Sequence, residues 1–381
     1  MTKDSSVSDW TLTQWEFRGL EAPFNLADGH AQHALQAQEA DFIRSLGDIL
    51  VNSDPVTLSR HEQRFLDSFF ALTGQSPPRQ RPILHYSSSI SIDVVAKSLV
   101  ASGVRRVGVI CPSFDNIPLL LQRAGLATIP LREPDIWLDP GYQKSAMAGC
   151  DAAFLVVPNN PTGFLPEPAA FLSLCEAAAA GHTAAVFDFS FRLLSSLHQW
   201  DQYRAARCIG GLSFACIEDT GKVYPLKEIK IGMVSASDDL APLIREISEE
   251  IALGVSPFAL RAITGLLELD LLRAGSSGHR APTCAQSVQH NRDYLRAAIR
   301  DLPFSLAAPG SQISVEWLRL QTGGGGTDLC RYLVRRGVAI LPGRPFCWDR
   351  IDEDSFVRVA LAREPEYFAT GVDLLAQLME A

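Results

Sequence analysis

The apolar run of residues 152–157 ends in Pro158-Asn159-Asn160-Pro161-Thr162-Gly163. Outward from that loop, short apolar runs alternate with amphipathic segments. Residues 107–111, 152–157, 184–187 and 212–217 are rich in β-branched or aromatic side chains and read as buried parallel strands. Residues 116–124 and 169–180 between them have helical spacing. This order predicts an α/β fold, a mostly parallel sheet with helices on both faces, whose ligands gather at the carboxyl ends of the strands. From about residue 282 the pattern changes to a helix (285–301), a strand (313–320), a helix (328–336), short strands and a final helix (364–379), a smaller α+β lobe. The glycines at 323–326 read as a flexible loop. With 381 residues the chain exceeds what one core usually holds. The expected division is an N-terminal arm (1–30), a large lobe (31–281) and a small lobe (282–381), with residues 31–50 able to pack on the small lobe. The arm shows no long apolar face, so it either packs onto something or stays mobile.

Composition narrows the classes of function. A hydrophobic fraction of 47% with 20% charged residues fits a globular protein. A net charge of −9 without a basic run argues against nucleic acid or an anionic membrane as partner. No apolar stretch is long enough to span a bilayer, and residues 1–10 lack a signal-peptide core, so a cytoplasmic location is expected. Eight scattered cysteines without a C-x-x-C pair read as buried free thiols.

The chemistry lies in ordered segments around the opening loop. Asp188 ends the next apolar strand. Glu218-Asp219-Thr220-Gly221-Lys222 follows another, then come Lys230-Ile231-Gly232 and, near the C-terminus, Phe356-Val357-Arg358-Val359. Each has a plain reading too: Asn-Pro-Thr-Gly makes ordinary turns, and Arg358 could be a surface ion pair. A nucleotide P-loop at Gly221-Lys222 fails, because Cys216 stands where its first glycine is needed and Val223 follows the lysine.

In order and spacing the set resembles the aminotransferase signature, which implies pyridoxal 5′-phosphate (PLP) fold type I and a homodimer, with the apolar turn at residues 253–258 at the interface. On that resemblance Lys222 holds the cofactor as an imine, its amine activated by nearby cations. Lys230 pairs with the cofactor phosphate. Asp188 keeps the pyridine nitrogen protonated, so the ring acts as an electron sink. Asn160 donates to the phenolate oxygen, Phe114 stacks on the ring, and Arg358 offers a fork for an α-carboxylate. Ser88 and Ser89, before the helical pattern at 92–99, would bind phosphate at a helix N-terminus or simply cap the helix. Phe114 could equally be core.

Two positions depart from that signature. Phe191 replaces a tyrosine that donates to the phenolate, leaving Ser190 as the nearest hydroxyl. Asp219 replaces a phosphate-binding serine, so it must face a cation rather than the phosphate. Leu12-Thr13-Gln14-Trp15-Glu16, Asn25-Leu26-Ala27-Asp28-Gly29-His30-Ala31, Tyr86-Ser87-Ser88-Ser89, Phe114-Asp115-Asn116, Ile217-Glu218-Asp219-Thr220-Gly221-Lys222, Leu253-Gly254-Val255-Ser256-Pro257 and Val357-Arg358 look like the PLP- and oxygen-dependent L-arginine oxidases, a family serving antibiotic pathways. That resemblance implies an arm folding over arginine, with Thr13, Glu16, Asp28, His30 and Asp219 contacting substrate. By sequence alone Thr13-x-x-Glu16 is a capping box, and Asp28-Gly29-His30 a turn with a solvated histidine. His30 and His33 lack the further ligands a metal needs.

The reading is an L-arginine oxidase using dioxygen without metal or flavin. Lys222 would remove the α-proton, and Lys222 or His30 would act at the side-chain carbons, with His30 directing water to C4. The products would be 4-hydroxy-2-oxoarginine or 2-oxoarginine, ammonia and hydrogen peroxide. A 4,5-desaturase, a plain aminotransferase, an arginine cyclase and a non-catalytic arginine-binding protein are the alternatives.

Overall fold

The computed structural model describes residues 10–51, 58–195, 200–226, 229–277, 282, 284–321, 324–350 and 353–380. Seven strands form the large sheet, in the order Ile83–His85, Gly232–Ala236, Phe214–Asp219, Ala184–Asp188, Ala152–Val156, Arg106–Cys111, Ala127–Arg132. The four strands read from the sequence are its centre and pair in parallel. Ala152–Val156 and Ala184–Asp188 are buried along their length, as two-sided cover requires. Gly232–Ala236 runs antiparallel to Phe214–Asp219, a direction the periodicity does not encode. Ala127–Arg132 lies at the edge, where Pro130 costs no ladder hydrogen bond.

The small lobe has a four-stranded sheet that shares one apolar core with the helices Cys284–Ala298 and Pro365–Glu380. The glycine run is not simply a loop: Gly326 begins the helix Gly326–Val334, while Gly323 lies outside the described residues. Likewise the turn expected at 253–258 ends early, because Pro257 opens the helix Pro257–Ser277. Among the described residues no helix is long and apolar enough to cross a membrane. All eight cysteines are free; seven are buried, and Cys208 is exposed.

The arm departs most from expectation. Residues 1–9 lie outside the described residues. Beyond them Leu12–Gly19 is a helix, and Phe24–Asn25 pairs in parallel with Val338–Ala339 of the small lobe. Leu12, Trp15, Leu26, Ala27 and Ala31 are buried in the small-lobe core. The apolar residues are there in the sequence, but a turn at residues 20–23 splits them between a helix and a strand, so no single period displays them. The lobe boundaries shift accordingly: residues 10–31 complete the small lobe. The helices Ala37–Arg44 and Leu46–Val51 pack on Pro257–Ser277 of the large lobe, while just before them Gln32 bridges to Arg363 and Ala34 N donates to Glu364 Oε2 of the small lobe.

Candidate active site

The side chains expected to hold cofactor or substrate line one cavity at the carboxyl ends of the parallel strands: Ser88, Ser89, Phe114, Asn160, Asp188, Ser190, Asp219, Lys222 and Lys230 from the large lobe, Arg358 from the small lobe, and Thr13, Glu16, Asp28 and His30 from the arm. A larger cleft of about 1100 Å³, lined by residues such as Glu133, Thr162, Trp317 and Arg319, contains none of them. Size does not mark the site; the convergence of charged groups does.

The rear of the cavity is built on strand ends. Asp188 is buried, and its Oδ1 accepts from Ser190 N at 2.9 Å and Ser190 Oγ at 2.5 Å. Burial pushes its carboxyl up to about 6, against those hydrogen bonds and the Lys222 charge, so a cationic ring nitrogen would be a welcome partner. The Ser190 hydroxyl is thus committed to Asp188. Asn160 Oδ1 accepts from Arg358 Nη1 at 3.1 Å, which assigns the amide and leaves Nδ2 as a donor. Phe191 stands beside Lys222, whose Nζ lies 5.9 Å from the ring centroid. Phe114 meets Phe346 edge-on and borders the cavity while packing on the small-lobe core.

Ser87, not Ser88 or Ser89, caps the helix Ser88–Ala101: its Oγ accepts from Ile90 N at 3.3 Å. That leaves the next two serines for other work. Ser89 Oγ accepts from Asn116 Nδ2 at 3.2 Å, so its own proton remains to be donated. Asp219 Oδ2 accepts from Ser88 N at 3.0 Å and Oδ1 from Gly221 N at 2.6 Å. Burial opposes its charge, but Lys222 and these hydrogen bonds hold the carboxyl below its usual range. The carboxylate therefore sits at the positive end of a helix, beside a lysine.

The front belongs to the arm. The helix cap there is Thr11, whose Oγ1 accepts from Gln14 N, so the box read at Thr13 and Glu16 is shifted by two residues and both side chains are released toward the cavity. Glu16 Oε1 accepts from Arg358 Nη2 at 3.3 Å, and Ala27 O accepts from the same nitrogen at 2.6 Å. Burial pulls the Arg358 guanidinium below its ordinary value, while Glu16 and Asp28 oppose it. Asp28 Oδ1 lies 2.6 Å from His30 Nδ1. Burial works against the Asp28 charge, yet the contact with His30, aided by Arg363, holds it well below the usual carboxylate range. His33 does not join His30; it is buried near Glu39 and Glu364, and burial lowers its value.

Two anchoring residues escaped the sequence reading. Asp115 Oδ2 accepts from Leu12 N at 2.9 Å and so ties the arm helix to the large lobe, while burial drives its carboxyl up to about 7, with Glu16 adding to the shift and Leu12 opposing it. Buried Arg363 donates to the carbonyls of Asn25, Asp28 and His30, shaping the turn that presents Asp28 and His30. An arginine after the apolar run Val359-Ala360-Leu361-Ala362 was the available signal.

These residues fit pyridoxal 5′-phosphate and an amino acid. Lysine, strand-end carboxylate and oriented asparagine face one space, and a Cβ at Gly29 would stand 3.6 Å from Arg358 Nη2 and 3.9 Å from Lys222 Nζ. Glycine there keeps clear the gap between the two cations.

Comparison with known proteins agrees. No curated protein matches the chain. A structure of MppP soaked with the product 2-ketoarginine is 32% identical over 93% of this chain and 99% of its own, with a TM-score of 0.84. Aspartate aminotransferase from Thermus thermophilus with maleate (16% identity, 97% and 96% coverage, TM-score 0.78) and YbdL from Escherichia coli, which has a methionine aminotransferase function (17%, 98% and 99%, 0.78), share the fold. The aminotransferase class I and II family matches residues 57–373. Over that span the chain belongs to this family, and pyridoxal 5′-phosphate is its cofactor.

Proposed function

We propose that the enzyme oxidises L-arginine with dioxygen, releasing 2-oxoarginine or 4-hydroxy-2-oxoarginine with ammonia and hydrogen peroxide. The observation that carries this reading is the Arg358–Glu16 pair across the cavity. A ligand with only an α-carboxylate would take Arg358 and strand the half-buried Glu16, and leaving a partly desolvated charge without its partner is unfavourable. Arginine brings a carboxylate for Arg358 and a guanidinium for Glu16, Asp28 and Asp219, so no charge is left alone. The likeness to MppP, whose structure was soaked with its product 2-ketoarginine, supports the same substrate.

When bound, the cofactor withdraws electrons from the substrate α-carbon. Lys222 would hold the α-proton, Asp188 would keep the ring nitrogen protonated and Asn160 would donate to the phenolate. His30, oriented by Asp28, directs water or takes a proton at the side-chain carbons. Each two-electron oxidation reduces one dioxygen to hydrogen peroxide. The arm helix over the cavity keeps bulk water away. The working form is a homodimer, in which exposed Leu253 would be covered.

The test is an incubation with arginine in air without any 2-oxo acid, following oxygen and identifying products by mass spectrometry. Oxygen uptake with ammonia and a 2-oxo product supports the proposal. Turnover only when a 2-oxo acid is supplied would make the protein a plain aminotransferase, and a 4,5-dehydro product a desaturase.

A further inference from the structure

His30 is gripped at both ring nitrogens. Nδ1 meets Asp28 Oδ1 at 2.6 Å, and Nε2 meets Lys230 Nζ at 3.0 Å. An ammonium has only donors, so Nε2 must accept, and the ring proton then rests on Nδ1 toward Asp28. The backbone around the ring is fixed as well: Arg363 Nη1 donates to His30 O at 2.9 Å, and His30 N donates to Asp28 Oδ1 at 3.0 Å. The meeting depends on Gly221, where a Cβ would come within 2.9 Å of Lys230 Cδ and 3.3 Å of His30 Cδ2. The lone pair that a base or water-directing histidine must use is therefore already engaged by a lysine.

We propose that Lys230 is a positioning residue that holds His30 in reserve, and that the cofactor phosphate releases the ring by drawing the ammonium to itself. This rests on the reading of Lys222 as the cofactor lysine and of His30 as a working group. The phosphate is a dianion, whereas Nε2 is a neutral acceptor, so Lys230 pairs with phosphate when both are in reach. His30 is then available only in the loaded enzyme, which guards against proton transfer in an incomplete site.

The experiment uses protein with 15N-labelled histidine, without arginine, and reads the ring-nitrogen resonances of His30, assigned by their loss in His30→Ala. Three forms are compared: cofactor-free, saturated with pyridoxal, and saturated with pyridoxal 5′-phosphate. The expected result is one Nε2 position in the first two forms and a shift to lower field in the third, as the accepted hydrogen bond is lost. Lys230→Met should show the third position in every form. An unchanged Nε2 resonance across the three wild-type forms overturns the proposal. So does a Lys230→Met spectrum that matches cofactor-free wild type. If that variant does not fold, the comparison of pyridoxal with its phosphate still decides. Failure of arginine oxidation would not alter these spectra, and absence of cofactor absorption at Lys222 would point instead to the cofactor assignment.

Discussion

The rear and the front of the cavity are held by different means. At the rear, Asp188 ends one parallel strand and Asn160 and Lys222 follow within a few residues of the ends of its two neighbours, so the sheet register sets where all three start. At the front, Thr13, Glu16, Asp28 and His30 are borne by an arm that depends on distant groups: Leu12 and Trp15 in the small-lobe core, Asp115 at its helix start and Arg363 beneath its turn. Strand ends on a buried sheet are fixed by their ladder, whereas the arm is fixed by burial in the small-lobe core and by hydrogen bonds to residues far along the chain. The residues proposed to hold the cofactor thus lie mainly on the large-lobe sheet, and those proposed to select the substrate mainly on an arm built into the small lobe.

The sharpest way to break this division is at the rear. Lys222→Ala should remove the protein-bound cofactor absorption and lower turnover by roughly 10⁴-fold or more; a variant that borohydride still couples to cofactor would refute the assignment. Asp219 tests the border. Asp219→Asn should weaken arginine binding by about 3–5 kcal/mol, a hundredfold or more on the usual conversion, while cofactor affinity changes little. Equal losses in paired titrations would move Asp219 to the cofactor half, a result its contacts with Ser88 and Gly221 make worth seeking. At the front, His30→Ala should keep consuming oxygen but shift the product several-fold from 4-hydroxy-2-oxoarginine toward 2-oxoarginine, measured by mass spectrometry. The smallest effect concerns the latch. Asp115 is raised to about 7 when folded and ionises near 4 when unfolded, so the folded state binds the extra proton and wild-type stability falls as pH rises between those values. Asp115→Asn should flatten that slope, by about 1 kcal/mol after allowing for relaxation; denaturant midpoints at pH 5 and 8 that move in parallel would contradict it.

Much of the rear was legible because its signal is local. Strands read as buried apolar runs, and the loop and strand-end residues follow them at fixed offsets. The arm was not legible as structure: Leu12, Trp15 and Leu26 become a core only when Val338–Ala339, more than three hundred residues on, supplies the pairing strand. Its polar residues were found through resemblance, not through periodicity. Ser88 and Ser89 were placed correctly at the helix start, but a run of three serines could not reveal that Ser87 is the cap. Contacts such as Asp115 with Leu12, or Lys230 with His30, join residues far apart in the chain and leave no mark in local spacing.

The most direct test of this division is an equilibrium titration of the cofactor-loaded enzyme, under anaerobic conditions, with arginine and with norvaline, which lacks the guanidinium. The account predicts that arginine binds on the order of a hundredfold more tightly, and that Glu16→Gln erases most of the difference by weakening arginine and tightening norvaline, while leaving cofactor content as it was. Equal affinity of the wild-type enzyme for the two amino acids would contradict it.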